Sequence, residues 1–166
     1  MTSLLEAGAA TGVALKTAGQ SVAVAESSAG GVISAALLAV PGASAYFKGG
    51  GVVYTGDSKQ SLMAVSDAAM QEARAATEVH ALHLARAARE RLGADWGVGE
   101  TGAAGPTGNR YGDAPGHTCI GVAGGNGVEL AITVETGADD RAQNMWVFAE
   151  AALSLLVRAV TAQEGN

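Results

Sequence analysis

Two hydrophobic periods alternate along this chain and predict helices and strands in turn. Apolar side chains recur at helical spacing over residues 4–13, which is typical of an amphipathic helix. A short apolar run with two valines at 21–25 predicts a buried strand, and the apolar stretch 32–40 predicts a helix closed by Pro41. Residues 49–55 then predict a second strand, which is entered through three glycines.

The second half of the chain continues with helices, a strand and a hairpin. In order, the pattern predicts a short helix ending at Val65, a helical stretch from Ser66 or Asp67 to Leu92, a strand at 95–100, a loop at 101–109, strands at 117–123 and 128–135, and a helix capped by Asp139 or Asp140. Gly and Asn residues at 124–127 tolerate positive φ, so the two late strands are predicted to form an antiparallel hairpin. Strands that alternate with helices before a terminal hairpin favour an α/β domain with a mixed sheet.

Length and composition predict a single domain over residues 1–166. The chain has 166 residues, of which 48% are hydrophobic and 16% are charged, so it can bury a core and is not disordered by charge. It lacks the roughly 18 consecutive apolar residues that a membrane-spanning helix needs, and no charged leader precedes an apolar core. We therefore expect a soluble, cytoplasmic protein.

The charge balance and the scarcity of metal-binding residues exclude several partners and cofactors. The formal charge is −6, from 16 acidic and 10 basic residues, so neither a nucleic acid nor a membrane surface is an expected partner. One cysteine and three histidines offer no metal-ligand spacing, and no metal or cofactor is expected. Cys119 is predicted to be a buried, inert thiol, while His80 and His83 are predicted to form a surface pair.

The segment 26–31, Glu-Ser-Ser-Ala-Gly-Gly, is the first candidate site because it joins a strand end to a helix start. Such a junction directs backbone N–H groups and the helix dipole at the turn, where a phosphate or a developing oxyanion can bind. Small residues let a ligand approach closely. The alternative is a capped helix after a tight turn, since Ser is a common cap and Gly a common turn residue.

Lys59 follows the second predicted strand and is the second candidate. If the first two strands are neighbours, their carboxyl ends bring Lys59 toward Ser27, and a desolvated lysine with a lowered pKa can deprotonate a serine hydroxyl. The alternative is a solvated lysine at a helix start. The loop at 101–109 leaves the third strand and is expected to face the same crevice. Arg141 is a candidate clamp for a phosphate or carboxylate, unless it pairs with surface carboxylates.

Four motifs lie in order along nearly the whole chain. They are Ala25-Glu26-Ser27-Ser28-Ala29-Gly30-Gly31; Pro41 through Phe47, followed by Gly50-Gly51 and Tyr54 through Lys59; Thr101-Gly102-Ala103-Ala104-Gly105-Pro106; and Asp139-Asp140-Arg141 before the last helix. Together these motifs resemble the CinA C-terminal domain family, whose stand-alone members include nicotinamide-nucleotide amidases.

The resemblance implies a three-layer α/β/α fold with a mixed, mostly parallel sheet. It also implies hydrolysis of the carboxamide of nicotinamide mononucleotide to nicotinate mononucleotide and ammonia, without a metal. By the same resemblance Ser27 is the nucleophile and Lys59 its base, while Tyr54 and Thr101 orient the dyad or the substrate. Backbone N–H groups at 29–31 are expected to hold the oxyanion. Substrate contacts are expected at Glu26, Ser28, Ala29, Gly30, Gly31, Gly102, Gly105 and Arg141.

The chain departs from the family pattern at Asp139, which replaces a glycine, and at positions close to the proposed site. Ser28 and Ala29 stand where the family has cysteine and threonine, and Met145 stands where it often has arginine. A hydroxyl that bonds a charged or transition-state group contributes roughly 1.5–3 kcal/mol. A second hypothesis is therefore a catalytically impaired member that binds a nucleotide or serves as an interaction module. In either case the expected ligand is a small-molecule nucleotide, and alanine-rich helix faces that need covering predict a homodimer.

Overall fold

A computed structural model describes residues 2–165 of the chain. Its helices are α1 (Thr2–Ala18), α2 (Val32–Leu38), α3 (Gly56–Met63), α4 (Asp67–Glu72), α5 (Glu78–Leu92) and α6 (Arg141–Glu164). Its strands are β1 (Val22–Glu26), β2 (Phe47–Val52), β3 (Trp96–Ala103), β4 (His117–Ala123) and β5 (Glu129–Glu135). Helices and strands alternate as far as β2, as the hydrophobic pattern predicts, and three helices then precede β3.

The five strands form one sheet in the order β2-β1-β3-β4-β5. β1 pairs in parallel with β2 and β3, whereas β3–β4 and β4–β5 are antiparallel. The predicted mixed sheet and terminal hairpin are thus confirmed, with parallel and antiparallel pairings in equal number. At the end of β1, Glu26 lies opposite Val52 of β2 and Glu100 of β3. The carboxyl ends of the three parallel strands therefore meet at one edge of the sheet.

The two faces of the sheet carry cores of different character. Because side chains of a strand alternate between faces, β1 directs Val22 and Val24 to one core and Ala23 and Ala25 to the other. The first core is larger and packs against α1, α2 and α6; its fully buried side chains include Trp96, Ile120, Phe148, Leu153 and Leu156. The second core is built of smaller residues and packs against α3 and α5. The result is the expected α/β/α arrangement.

Glycines on the second face allow α5 to approach the sheet closely. A Cβ atom at Gly97 would overlap the carbonyl oxygen of Ala85, and one at Gly99 would overlap that of Ala81. Gly121 of β4 faces the same helix, where an added Cβ would lie 2.8 Å from the carbonyl carbon of Ala81. These clashes are with helix backbone, which has no side-chain freedom to move aside.

Two boundaries differ from the sequence-based prediction. β3 continues to Ala103, through residues predicted as loop, because Thr101, Gly102 and Ala103 pair with β4. The helical stretch predicted up to Leu92 is broken between α4 and α5, where Ala76 adopts a positive φ of 62°. Tertiary hydrogen bonds hold this break, since the Ala76 N–H donates to the Thr101 hydroxyl oxygen and the Ala76 carbonyl oxygen accepts from His117.

α6 is the one described helix that is long and apolar enough to cross a membrane by composition. In this fold it packs along α1 and against β3, β4 and β5. It buries Phe148, Leu153 and Leu156 in the larger core. This is the arrangement of a core helix in a soluble globular domain.

We expect Gly99→Ala to destabilise the fold by roughly 3 kcal/mol, because overpacking against fixed backbone forces α5 away from the sheet. Urea denaturation measures the change in the free energy of unfolding. Gly56→Ala is the matched control, since a Cβ there meets only Met70 Cε at 3.6 Å and Gly56 has ordinary backbone angles. Equal stability of the two variants would contradict the close α5 contact.

His117 makes the stability depend on pH. Burial lowers its pKa, but hydrogen bonds to Glu135 and to the Ala76 carbonyl oxygen, with Asp113 nearby, outweigh burial and raise the pKa above 6.5 overall. A raised pKa means that the folded state favours the protonated imidazole, so this stabilisation is complete below pH 6.5 and is lost as the pH rises through the folded-state pKa.

We therefore expect the difference in the free energy of unfolding between the wild type and His117→Gln to fall as the pH rises above about 6.5, whereas the lowered pKa of Lys59 affects both proteins alike. The pKa of His80 is lowered to about 4 in the folded state. His80 therefore lowers the free energy of unfolding as the pH falls below 6.5, its unfolded-state pKa. Urea denaturation at a series of pH values separates the two contributions. A difference between the wild type and His117→Gln that stays constant or grows over this range would contradict the assignment.

Candidate active site

The carboxyl ends of β1, β2 and β3 bring the predicted motifs together. The N–H of Ser27 donates to the carbonyl oxygen of Glu100 at 3.1 Å, and the N–H of Val53 donates to that of Glu26 at 2.8 Å. The turn after β1 therefore lies between the segment that leads to α3 and the end of β3. This is the crevice in which α/β sheets bind ligands.

A buried carboxylate, Glu100, organises the turn after β1. Its Oε2 accepts hydrogen bonds from the N–H groups of Ser27 at 3.0 Å and Ala29 at 2.8 Å. Its Oε1 accepts hydrogen bonds from the hydroxyls of Ser28 and of Thr118, the latter at 2.7 Å. Burial raises the pKa of Glu100, and these hydrogen bonds partly offset that rise. The carboxylate thus links β1, α2 and β4 in one network.

The two serines of the turn have different environments. Both are buried, but the Ser28 hydroxyl donates to Glu100, whereas the Ser27 hydroxyl has no hydrogen-bond partner among residues 2–165. A hydroxyl that already donates its proton to a carboxylate is not available to donate that proton to a base. Ser27 is therefore the better placed of the two to act as a nucleophile.

The structure overturns two expectations for this turn. Glu26, expected to contact the ligand, instead caps α2: its carboxylate accepts from the N–H groups of Gly31, Ile33 and Ser34 at 2.8–3.0 Å and from the Ser34 hydroxyl. The N–H groups at 29–31, expected to hold an oxyanion, donate to Glu100, to the Ser27 carbonyl oxygen and to Glu26. Glu26 takes over the cap because the N-cap residue of α2, Gly31, has no side chain.

Lys59 is buried in α3 and is not a solvated surface lysine. Only 4% of the residue is exposed, and Lys59 forms no salt bridge within the part of the chain that the structure describes. The start of α3 is fixed by a capping box between Thr55 and Ser58. Burial lowers the pKa of Lys59, and the nearby Glu100 carboxylate partly raises it. A lysine in this state can lose its proton more readily than one in water.

A cleft of about 400 Å³ opens beside Lys59. Besides Lys59, its walls include Tyr54, Arg74, His80, Arg110 and Tyr111. Arg74 forms a two-pronged ion pair with Asp113, at 2.8 and 3.3 Å. The Arg110 guanidinium lies 4.9 Å from the centre of the Tyr111 ring, and Arg110 has no ion pair among the described residues. The cleft therefore combines positive charge with aromatic surface.

Three predicted site residues meet at the rim of this cleft. The Arg141 guanidinium donates to the carbonyl oxygen of Gly105 at 2.6 Å and to the hydroxyl of Tyr54 at 3.2 Å. It pairs with no carboxylate within residues 2–165, which excludes the surface ion pair considered as its alternative. Arg141 thus joins the start of α6 to the loop after β3 and to the segment after β2.

Thr101 and Gly102 lie inside β3, away from the cleft lining. The Thr101 hydroxyl oxygen accepts a hydrogen bond from the Ala76 N–H at 3.0 Å and so holds the loop before α5. A Cβ atom at Gly102 would overlap the carbonyl oxygen of His117 on β4. These contacts give both residues a structural role, and their roles in catalysis or binding stay predictions.

Sequence reasoning placed His80 on the surface, and this is wrong. His80 is 1% exposed, while its helix neighbour His83 is partly exposed and pairs with Glu72. The helical period contained the signal, because His80 lies four and eight residues before Leu84 and Ala88, which belong to the buried face of α5. Glu100 was also missed as a site residue. Its signal in the sequence was a charged residue at the end of a predicted apolar strand. The predicted burial of Cys119 is confirmed.

Met145 covers the serine turn from α6. A Cβ atom at Gly30 would lie 2.6 Å from Met145 Cε, so the thioether rests directly on the turn. The position at which the family often has an arginine thus presents an apolar side chain to the site. It offers no charge to an anionic ligand.

The fold and the site define an α/β domain with a serine turn and a buried lysine at the carboxyl ends of its parallel strands. A family model described as the CinA C-terminal domain matches residues 6–160. The chain therefore belongs to this family, which confirms the resemblance seen in its motifs.

Relatives and solved structures agree with this assignment. CinA-like proteins of Chlorobium limicola and Gloeobacter violaceus are 44% and 36% identical over 80% and 91% of this chain. The chain spans about a third of the length of these curated relatives, 32% and 35%. The competence/damage inducible protein CihA from Agrobacterium tumefaciens has a TM-score of 0.87 and 28% identity, with 95% of both chains covered. A CinA superfamily protein from Klebsiella pneumoniae, at 21% identity, shares the fold, with a TM-score of 0.89 over 96% of this chain and 98% of its own.

Glu100 is expected to tolerate an amide but not an apolar side chain. In Glu100→Gln the amide oxygen can accept from the Ser27 and Ala29 N–H groups while its NH₂ donates to the hydroxyls of Ser28 and Thr118, so we expect a loss of about 1 kcal/mol. Glu100→Ala leaves the Ala29 N–H and the Ser28 hydroxyl without an acceptor and is expected to lose roughly 3 kcal/mol or more. Urea denaturation compares the two variants, and equal losses would contradict the proposed hydrogen-bond network.

Proposed function

We propose that this protein is an amidase that hydrolyses the carboxamide of a pyridine nucleotide, with nicotinamide mononucleotide as the substrate, nicotinate mononucleotide and ammonia as products, and Ser27 and Lys59 as the reacting pair. The observation that carries the proposal is the buried state of Lys59, without a salt bridge among residues 2–165 and with a lowered pKa. Glu100 connects the pair, since it binds the Ser27 N–H and acts electrostatically on Lys59.

In the proposed reaction Lys59 acts first as a base and then as an acid. Its neutral amine accepts the proton of the Ser27 hydroxyl as the serine oxygen attacks the carboxamide carbon. The resulting ammonium returns the proton to the leaving nitrogen, which departs as ammonia and leaves an acyl ester on Ser27. A water molecule, deprotonated by the same amine, then hydrolyses the ester. The lowered pKa of Lys59 favours both roles, because it eases the gain and loss of the proton by the amine.

The tetrahedral intermediate needs a hydrogen-bond donor for its oxyanion. The N–H groups at 29–31 are committed to other acceptors. The N–H of Ser28, for which residues 2–165 supply no acceptor, remains in the same turn. A backbone N–H directly after the nucleophile is a common oxyanion donor. We assign this role to Ser28, through its backbone and not its side chain.

The cleft beside Lys59 supports a nucleotide as the ligand. Arg110 offers a guanidinium without a carboxylate partner in the described chain, which suits a phosphate group. Tyr54 and Tyr111, 61% and 37% exposed, offer aromatic surface to a planar ring. A volume of about 400 Å³ is within the range of small-molecule sites. We propose a cytoplasmic location for this reaction.

A nucleotide-binding protein without turnover is the second candidate. The observation that favours it is Met145, whose thioether lies over Gly30 at the serine turn and restricts access to it. On this hypothesis the cleft still binds the nucleotide, but Ser27 does not react with it.

Ser27→Ala and Lys59→Ala are each expected to lower kcat/KM for nicotinamide mononucleotide by roughly a thousandfold or more, because each removes one member of the reacting pair. Ammonia release measures the rate, and circular dichroism verifies the fold. Lys48→Ala, at an exposed lysine, is the matched control and keeps the wild-type rate.

Ser28→Ala distinguishes the two serines, and we expect a loss of less than about tenfold because its backbone N–H is retained. A full rate in Ser27→Ala would rule out the dyad. Binding of the nucleotide by folded wild-type protein without any ammonia release would favour the second candidate.

A further inference from the structure

His80 contains a buried polar atom without a partner. Its Nε2 is the one such side-chain atom among residues 2–165. Its Nδ1 lies 3.1 Å from the carbonyl oxygen of Ala73, which can only accept a hydrogen bond. Nδ1 therefore carries the proton of the neutral ring, and Nε2 presents a lone pair. Unsatisfied buried acceptors are rare in native proteins and call for a specific cause.

Lys59 is a hydrogen-bond donor that lines the same cleft as the His80 acceptor. His80 on α5 and Lys59 on α3 line the same cleft, and the two helices pack against each other. Lys59 is 4% exposed, and its ammonium offers up to three N–H donors that find no acceptor in residues 2–165. A buried acceptor and a lysine ammonium without a hydrogen-bond partner among residues 2–165 therefore lie beside one cleft.

We propose that His80 is a positioning residue for Lys59: the Nε2 lone pair, which has no partner among residues 2–165, accepts a hydrogen bond from the Lys59 Nζ when the flexible lysine side chain turns toward it, and so holds the lysine in the orientation that its reaction requires. The contact itself does not depend on the proposed function. Its importance for catalysis rests on the proposed Ser27–Lys59 dyad.

The charges around the pair define the role of His80. Burial, together with the charge of Lys59, lowers the pKa of His80 to about 4, so the ring is neutral at pH 7. The groups facing Lys59 from neighbouring elements are Glu100 on β3, His80 on α5, and Tyr54, Arg74, Arg110 and Tyr111 around the cleft. Glu100 favours the ammonium and the arginines oppose it. A neutral acceptor favours the ammonium form without adding a charge.

Removal of the acceptor should therefore lower the pKa of Lys59 further. The chain has three lysines, Lys16, Lys48 and Lys59, so ¹³C-lysine labelling gives three side-chain signals, and comparison with Lys59→Ala assigns the third. We expect the Lys59 titration in His80→Leu to move to lower pH by about half a unit or more. In His80→Gln, which keeps an acceptor, it stays near the wild-type value.

A ¹⁵N spectrum of the wild-type imidazoles tests the proposal even if a variant fails to fold. His80 is one of three histidines and should show the Nδ1–H tautomer and remain neutral down to about pH 5. An Nε2–H tautomer, or an unchanged Lys59 titration in folded His80→Leu, would overturn the proposal.

Kinetics separates positioning from a merely structural role. In His80→Leu we expect kcat to fall about tenfold with KM unchanged, and the acidic limb of the kcat/KM profile to move to lower pH together with the Lys59 titration. His80→Gln should restore both. A wild-type protein without amidase activity would refute the proposed function, while the lysine titration would still decide whether His80 contacts Lys59.

Discussion

Glu100 of β3 carries a carboxylate that has no access to water, so the structure around it must supply its hydrogen bonds. Four donors do so: two backbone N–H groups and a hydroxyl from the turn after β1, and a hydroxyl from β4. An unpartnered carboxylate at this depth would cost far more than an ordinary lost hydrogen bond. The requirement therefore fixes the Ser27 turn against the sheet, and the same charge moderates the lowered pKa of Lys59.

Two carboxylates on adjacent strands have different structural roles at this edge of the sheet. Glu26 and Glu100 lie opposite each other on β1 and β3, but one caps α2 and the other holds the serine turn. Between them they use most of the N–H groups that this helix start would otherwise offer to an anion, and the Ser28 N–H is left without an acceptor among residues 2–165. Positive charge for an anionic ligand must then come from the cleft, where Arg110 is available and Arg141 holds the rim.

The position of α5 follows from the small residues of the second sheet face. Gly97, Gly99 and Gly121 allow the helix backbone to contact the strands directly. This close packing buries His80 beside Lys59, in a place where an ordinary surface helix would have left it solvated. The packing of the core and the chemistry of the cleft thus depend on the same glycines.

The sequence by itself determined the approximate order of elements, the mixed sheet, the family, and the placement of Ser27 and Lys59 after the first and second strands. These follow from periodicity and short motifs, which act over a few residues. Only the tertiary structure decided which polar groups are used and by what. Ser27 and Glu100, which form a hydrogen bond, are 73 residues apart in the chain, and the hydrogen-bonded Ala76 and Thr101 are 25 residues apart. Such partners break the helix before α5 and occupy the N–H groups at 29–31. They are selected by packing between distant segments, which the local sequence does not specify.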